Sequence, residues 1–285
     1  MLYAINNLFW KIVIKEANHL LVISIRALLT TFAGLSLLLF VKPDYLSMLK
    51  DSSIRIILPA LLGATGLILM VTGLKKGSLR QFSIYGIVGI AFILIYLILY
   101  ENLKLWPYLP GLSLLGIGYG LYVHRYEKGF FLGKNLKIHF LFLGMTLAFS
   151  ASVVLHWYNF IDEIPILLEI TVQEVVILVV SFLLWLVFRE QGSKHERKLS
   201  TKLLFQISFM AGLIFLAIYT GYVGLKITNP LTSSLVSLSV PLLTILLDSI
   251  YFRRKLETPF LLSMLIMAAA YVILSTQLLL LKEGG

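Results

Sequence analysis

Apolar residues run along this chain in long continuous stretches broken by short polar punctuation, without period-two alternation. Ten stretches read as helical spans: 2–17, 19–41, 54–74, 79–100, 107–123, 137–158, 164–188, 203–225, 230–252 and 259–281. A bilayer crossing takes about 20 apolar residues in a helix. With 285 residues in all, ten spans leave room for short connections only. The pattern predicts an all-α membrane protein of ten transmembrane helices. A β-barrel is excluded, because barrel strands alternate apolar and polar positions. The longest polar segments, 125–137 and 189–202, are loop-sized. The first span is short and carries Lys11. It does not read as a signal peptide, since no basic region precedes it and no small-residue cleavage site follows.

The chain also repeats itself. Gly73-Leu74-Lys75 stands before span four and Gly224-Leu225-Lys226 before span nine, an offset of 151 residues. At that offset Tyr100 falls on Tyr251, Lys104-Leu105 on Lys255-Leu256, and Gly118 on Ala269. The expected organisation is a first five-helix repeat over 1–124, an inter-repeat loop over 125–136 and a second five-helix repeat over 137–285. An odd number of spans per half turns the second half over relative to the first, an arrangement recurrent in secondary transporters.

Two stretches carry a family resemblance. Asn6-Asn7-Leu8-Phe9-Trp10-Lys11 opens the chain and Arg26 lies early in span two. Residues 224–275 join a span holding Pro241 to a short basic loop and a last span rich in small residues. In these the sequence resembles the drug/metabolite transporter superfamily, in its ten-helix EamA-type branch. That resemblance implies a cavity lined by helices one, three, four, six, eight and nine. It also implies a homodimer through helices five and ten, and export of amino acids or related metabolites. Two departures stand out. The family's glutamate before the basic-Leu pair after helices four and nine is replaced by Leu103 and Arg254, with Glu101 and Glu257 nearby. Helix one also lacks several N-terminal residues.

Composition agrees with the spans: 59% of residues are hydrophobic, 13% are charged, and mean hydropathy is +0.93. Neither a soluble enzyme nor a disordered chain carries so much apolar surface. The absence of cysteine removes thiolate chemistry and disulfides. The net charge of +10 does not read as a nucleic-acid footprint, because 17 of the 24 Lys and Arg fall in the loops after odd-numbered spans. By the positive-inside rule those loops are cytoplasmic and both termini outside. The resemblance implies the reverse.

Polar residues inside spans tend to face a bundle interior or a wet cavity. In span nine, Ser233, Ser237, Pro241, Thr244 and Asp248 share one face at helical spacing, and Pro241 frees the carbonyl of Ser237. Spans four and eight carry faces with Tyr85, Tyr96 and Tyr219, which suit an amphipathic solute. Close helix packing and interfacial belts explain the same residues. Asn6, Asn7, Trp10 and Lys11 form a cluster able to hold an anionic group, although Lys11 also has the reach to snorkel to the interface. Arg26 and Glu174 are charges deep in their spans. Glu174 is a candidate for proton coupling or for an ion pair with a neighbouring cation, and Asp248 for coupling or an ion pair with Arg253 and Arg254. His156 reads as an interfacial anchor at the end of span six, and Gly116 and Gly120 as a close-packing GxxxG pair. No metal-ligand spacing, cofactor motif, ATP-binding motif or enzymatic constellation appears. The expected function is secondary transport of a small organic solute, as an exporter in a bacterial inner membrane. The alternatives are a sugar-phosphate or nucleotide-sugar exchanger, and a non-transporting membrane scaffold or sensor.

Overall fold

The structure is a computed structural model. It describes residues 1–285 except 80, 81, 83, 84, 103, 127–135, 189–199, 238, 252, 254–257, 284 and 285. Gln81, Leu103, Arg254, Lys255, Leu256, Glu257 and most of the expected inter-repeat loop therefore lie outside the described residues, as do the side chains of Pro241 and Asp248.

All regular structure among the described residues is helical. The helices are α1 (Leu2–Val13), α2 (His19–Val41), α3 (Met48–Lys76), α4 (Gly86–Tyr100), α5 (Leu109–Tyr126), α6 (Leu136–Ile161), α7 (Ile166–Phe188), α8 (Thr201–Ile227), α9 (Pro230–Ser237), α10 (Ser239–Tyr251) and α11 (Thr258–Glu283). Segments in α2, α3, α6, α7 and α8 are long and apolar enough to cross a membrane. Local sequence sets several boundaries. Asn18 caps α2 by accepting from the Leu20 N–H, and Ser200 caps α8 by accepting from that of Leu203. Asn229 accepts from the Thr232 N–H ahead of Pro230, whose missing N–H costs nothing at the first helical position. Helix α1 ends at Val13, short of the expected 17. Lys11 reaches sideways there and donates to the carbonyls of Leu74 (2.9 Å) and Gly77 (2.7 Å), at the end of α3.

The surface and the interior invert the pattern of a soluble domain. Phe32, Phe40, Ile54 and Phe205 are 73–85% exposed, while Arg26, His156, Glu169 and Glu174 are at most 1% exposed. Buried polar groups and an apolar exterior suit surroundings of hydrocarbon.

Contacts along the helices give their relative directions. On α2 and α7, Ser24 meets Ser181 and Gly34 meets Thr171, so the two run antiparallel. On α3 and α6, Pro59 meets Ser152, Gly66 meets Phe149 and Gly73 meets Phe142, again antiparallel. On α1 and α8, Tyr3 meets Gly221 and Phe9 meets Phe209, and on α5 and α11 Gly111 meets Leu274 and Gly118 meets Met267. Both of those pairs are antiparallel. Helix α4 runs parallel to α6, with Tyr85 on His139, Gly89 on Ser150 and Tyr96 on Tyr158. Further packings join α2 to α8, α3 to α7, α1 to α10 and α4 to α9.

Small residues make the closest approaches. An added Cβ would stand 2.8 Å from the Phe149 ring at Gly66 and 2.6 Å from that of Phe142 at Gly73. The GxxxG expectation is corrected here. Among the described residues nothing lies within 4 Å of a Cβ at Gly116 or Gly120, whereas one at Gly118 would stand 2.7 Å from Met267. Helix α11 is reached by the glycine between the two, because a shift of two residues turns a helix by more than half a revolution.

Candidate functional site

A cavity of about 350 Å³ lies between the helices. Its wall takes Tyr3, Asn6, Asn7 and Trp10 from α1, Arg26 from α2, glycine and aliphatic positions from α3 and α4, and Thr146, Ser150, Ser152 and His156 from α6. Gln173 and Glu174 of α7, Tyr222 of α8, and Ser233, Ser234 and Ser237 of α9 complete its polar lining. Of the residues singled out in the sequence, Asn6, Asn7, Trp10, Arg26, His156, Glu174, Ser233 and Ser237 border this space.

The others stand elsewhere. Lys11 is tied to the end of α3. Tyr85 bonds His139 across 2.6 Å, and Tyr96 bonds Tyr158 across 2.8 Å while stacking on Tyr100. Tyr219 is 45% exposed on the outer side of α8. Thr244 lies behind the wall, fully buried, where its hydroxyl accepts from Asn7 Nδ2 at 3.5 Å and donates to the Val240 carbonyl at 2.8 Å. The side chain of Asp248 is outside the described residues.

The deepest charges come together. Arg26 Nη2 lies 2.8 Å from Glu174 Oε2, and the Thr30 hydroxyl donates to the same oxygen at 2.6 Å. Two charges at this depth persist only because each offsets the desolvation of the other. The pair is incompletely satisfied: Arg26 Nε and Glu174 Oε1 are buried without a hydrogen-bond partner among the described residues. Asn6 Oδ1, Trp10 Nε1 and Thr146 Oγ1, all on residues of the cavity wall, are in the same condition. Unmet donors and acceptors around one space equip it to hold a polar ligand or water.

A second polar cluster was not legible in the sequence. His156 is buried, against the expectation of an interfacial anchor, and its Nδ1 lies 2.8 Å from Glu169 Oε2. Asn159 Nδ2 donates to Glu169 Oε1 at 2.5 Å and to the Arg55 carbonyl at 2.9 Å. That carbonyl is available because Pro59, four residues on, has no N–H to offer it. Pro59 was the available signal: a proline inside a long apolar span announces a free carbonyl that some neighbour must serve. The Tyr222 hydroxyl donates to Gln173 Oε1, and its ring lies 4.7 Å from that of His156.

No known family's sequence pattern matches this chain, and no curated protein matches it. Its fold is found among solved structures. A crystal structure titled only as that of a protein has a TM-score of 0.74 at 12% sequence identity, covering 98% of this chain and 97% of that one. At that identity the likeness shows the fold alone.

Proposed function

We propose that this chain is a secondary transporter of a small organic solute such as an amino acid or related metabolite. It acts as an exporter by alternating access in a bacterial inner membrane. The observation that carries this reading is the cavity, a partly polar space of about 350 Å³ walled from both halves of the chain. A pocket of that volume suits a small solute. Its apolar share, from Leu67, Met70, Ile90, Ile93 and Phe149, would take the hydrocarbon part, and the unmet polar atoms the head.

The ten-span, two-repeat organisation belongs to the same proposal, and the reciprocity of the packing supports it. Pairing α1 to α5 with α6, α7, α8, α9–α10 and α11 turns each contact between the halves into another. Helix α3 on α6 corresponds to α8 on α1, α3 on α7 to α8 on α2, and α4 on α6 to α10 on α1. Helix α2 on α7, α4 on α9 and α5 on α11 map onto themselves. The directions found above fit strict up-and-down alternation, and such halves can rock about a central site. The resemblance to the EamA-type branch points the same way. Solutes bearing phosphate fit less well, since Arg26 is the Lys or Arg on the described wall and is already held by Glu174.

Counterflow of labelled amino acids into liposomes holding the purified protein tests the reading. A member of the panel should move, and Asn7→Ala and Ser237→Val should slow it several-fold. A folded protein that moves none of the panel, or variants as fast as the parent, would overturn it.

A further inference from the structure

Helix α7 buries two carboxylates five residues apart, and they differ in what neutralises them. Glu174 faces Arg26, whose guanidinium keeps its charge at every physiological pH. That pair sums to zero permanently. Glu169 faces His156, and imidazole is the side chain that gains and loses a proton near neutrality. Both oxygens of Glu169 are met by nitrogen: Oε2 by His156 Nδ1 and Oε1 by Asn159 Nδ2. Asn159 Nδ2 donates to Oε1, and with Glu169 ionised the hydrogen of the other contact belongs to Nδ1. In the neutral ring Nε2 then holds a lone pair. That Nε2 is buried and has no hydrogen-bond partner, on a residue that borders the cavity.

A carboxylate beside a neutral imidazole leaves one net negative charge in a low-dielectric interior, which is costly. One proton on Nε2 converts the pair to imidazolium and carboxylate, with no net charge. We propose that His156 and Glu169 form a proton-binding site: Nε2 takes a proton from hydronium that enters the cavity, leaving water, and later returns the proton to water, while Glu169 stabilises the charged ring. A metal cation is a poor occupant. Both carboxylate oxygens already face N–H groups, and no cluster of three His, Asp or Glu occurs among the described residues.

Among the described residues, no Lys or Arg side chain bonds or pairs with His156 or Glu169. Tyr222 of α8 packs on the imidazole, and Tyr3 of α1 joins the same apolar cluster. From α3 it is the Arg55 carbonyl that meets Asn159, while the Arg55 guanidinium pairs with exposed Asp162 at 2.5 Å. On α7 itself, Gln173 accepts from the Tyr222 hydroxyl and Glu174 pairs with Arg26. Use of this proton as the coupling ion rests on the transport reading, whereas its binding does not.

Histidine-labelled full-length protein in lipid nanodiscs tests the site by nitrogen NMR. The chain has five histidines, and His156→Gln assigns the relevant signals. Across a pH series the His156 ring of the parent protein should be found both in the neutral Nδ1–H form and as imidazolium. In Glu169→Gln it should stay neutral throughout. The signals of His19 and His139 in the same spectra report whether each variant is folded. A His156 ring of one form across the whole range in the parent protein overturns the proposal, even where Glu169→Gln cannot be folded. So does a ring that titrates alike with and without Glu169. None of these signals needs a solute to move, so a failed transport assay and a failed proton site give different results.

Discussion

Arg26 and Glu174 were recognisable as single residues because an ionisable group deep in an apolar span has to be compensated. Their mutual contact was not, since helical periodicity says which face a residue occupies and never which helix stands opposite. The same gap hid the partnership of His156 with Glu169: the histidine read as an interfacial anchor, and nothing in the sequence said which helix its ring faces. Lys11 shows the reverse error. Beside Asn6 and Asn7 it looked like cavity chemistry, but a long flexible side chain near a helix end can reach the last carbonyls of a neighbour, where cations are favoured. The buried pair gives a prediction at this scale. Arg26→Leu should destabilise the fold by about 3–5 kcal/mol, because it strands a carboxylate, and the double change with Glu174→Leu should recover most of the loss. Unfolding titrations in mixed micelles of the single and double variants measure the difference, and equal losses would contradict the account.

At the scale of elements, apolar stretches located most helices well, because continuous hydrophobicity is a strong signal. Boundaries were poorer: α1 ends early, and the tyrosine face assigned to span four begins at Tyr85, just ahead of α4. Packing partners depended on where single glycines point. Gly118 lies under Met267 of α11, whereas Gly116 and Gly120 meet none of the described residues. Gly118→Val should therefore cost about 1–3 kcal/mol through overpacking. Gly116→Val and Gly120→Val should leave monomer stability within about 0.5 kcal/mol. If the homodimer implied by the resemblance uses this face of α5, the latter two should instead reduce crosslinking between protomers. Thermal unfolding and crosslinking of the three variants separate these effects.

For the whole molecule, the ten-span reading and the repeat came from the spacing of apolar stretches and one constant offset, while the cavity needed the three-dimensional contacts. Helices α2 and α7 pack against each other, and their Ser24 and Ser181 hydroxyls lie 2.9 Å apart. Since the chain has no cysteine, Ser24→Cys with Ser181→Cys introduces a unique thiol pair. Oxidation should bridge the two helices and show as a shift in gel mobility. If the halves move past each other during transport, counterflow should stop when the bridge forms and resume on reduction. Counterflow unaffected by a complete bridge would mean that these helices do not separate in the cycle. Sidedness is a further property at this scale. A cytoplasm-specific reporter fused after Gly285 should stay inactive if the basic loops are cytoplasmic, and should become active if the orientation implied by the resemblance holds.

Helix α1 has a consequence for how the protein is made. One of its polar side chains finds its partner late: Asn7 meets Thr244, which follows it by 237 residues. At synthesis rates of about 5–20 residues per second, that partner emerges roughly ten to fifty seconds after Asn7. Lys11 meets its carbonyls at Leu74 and Gly77 much sooner, but throughout that interval Asn7 must wait without its final partner, sheltered by the translocation machinery or lying at the lipid surface. Ribosome-bound chains stopped before and after Thr244 should therefore differ in how readily a probe in water modifies a cysteine placed at position 7.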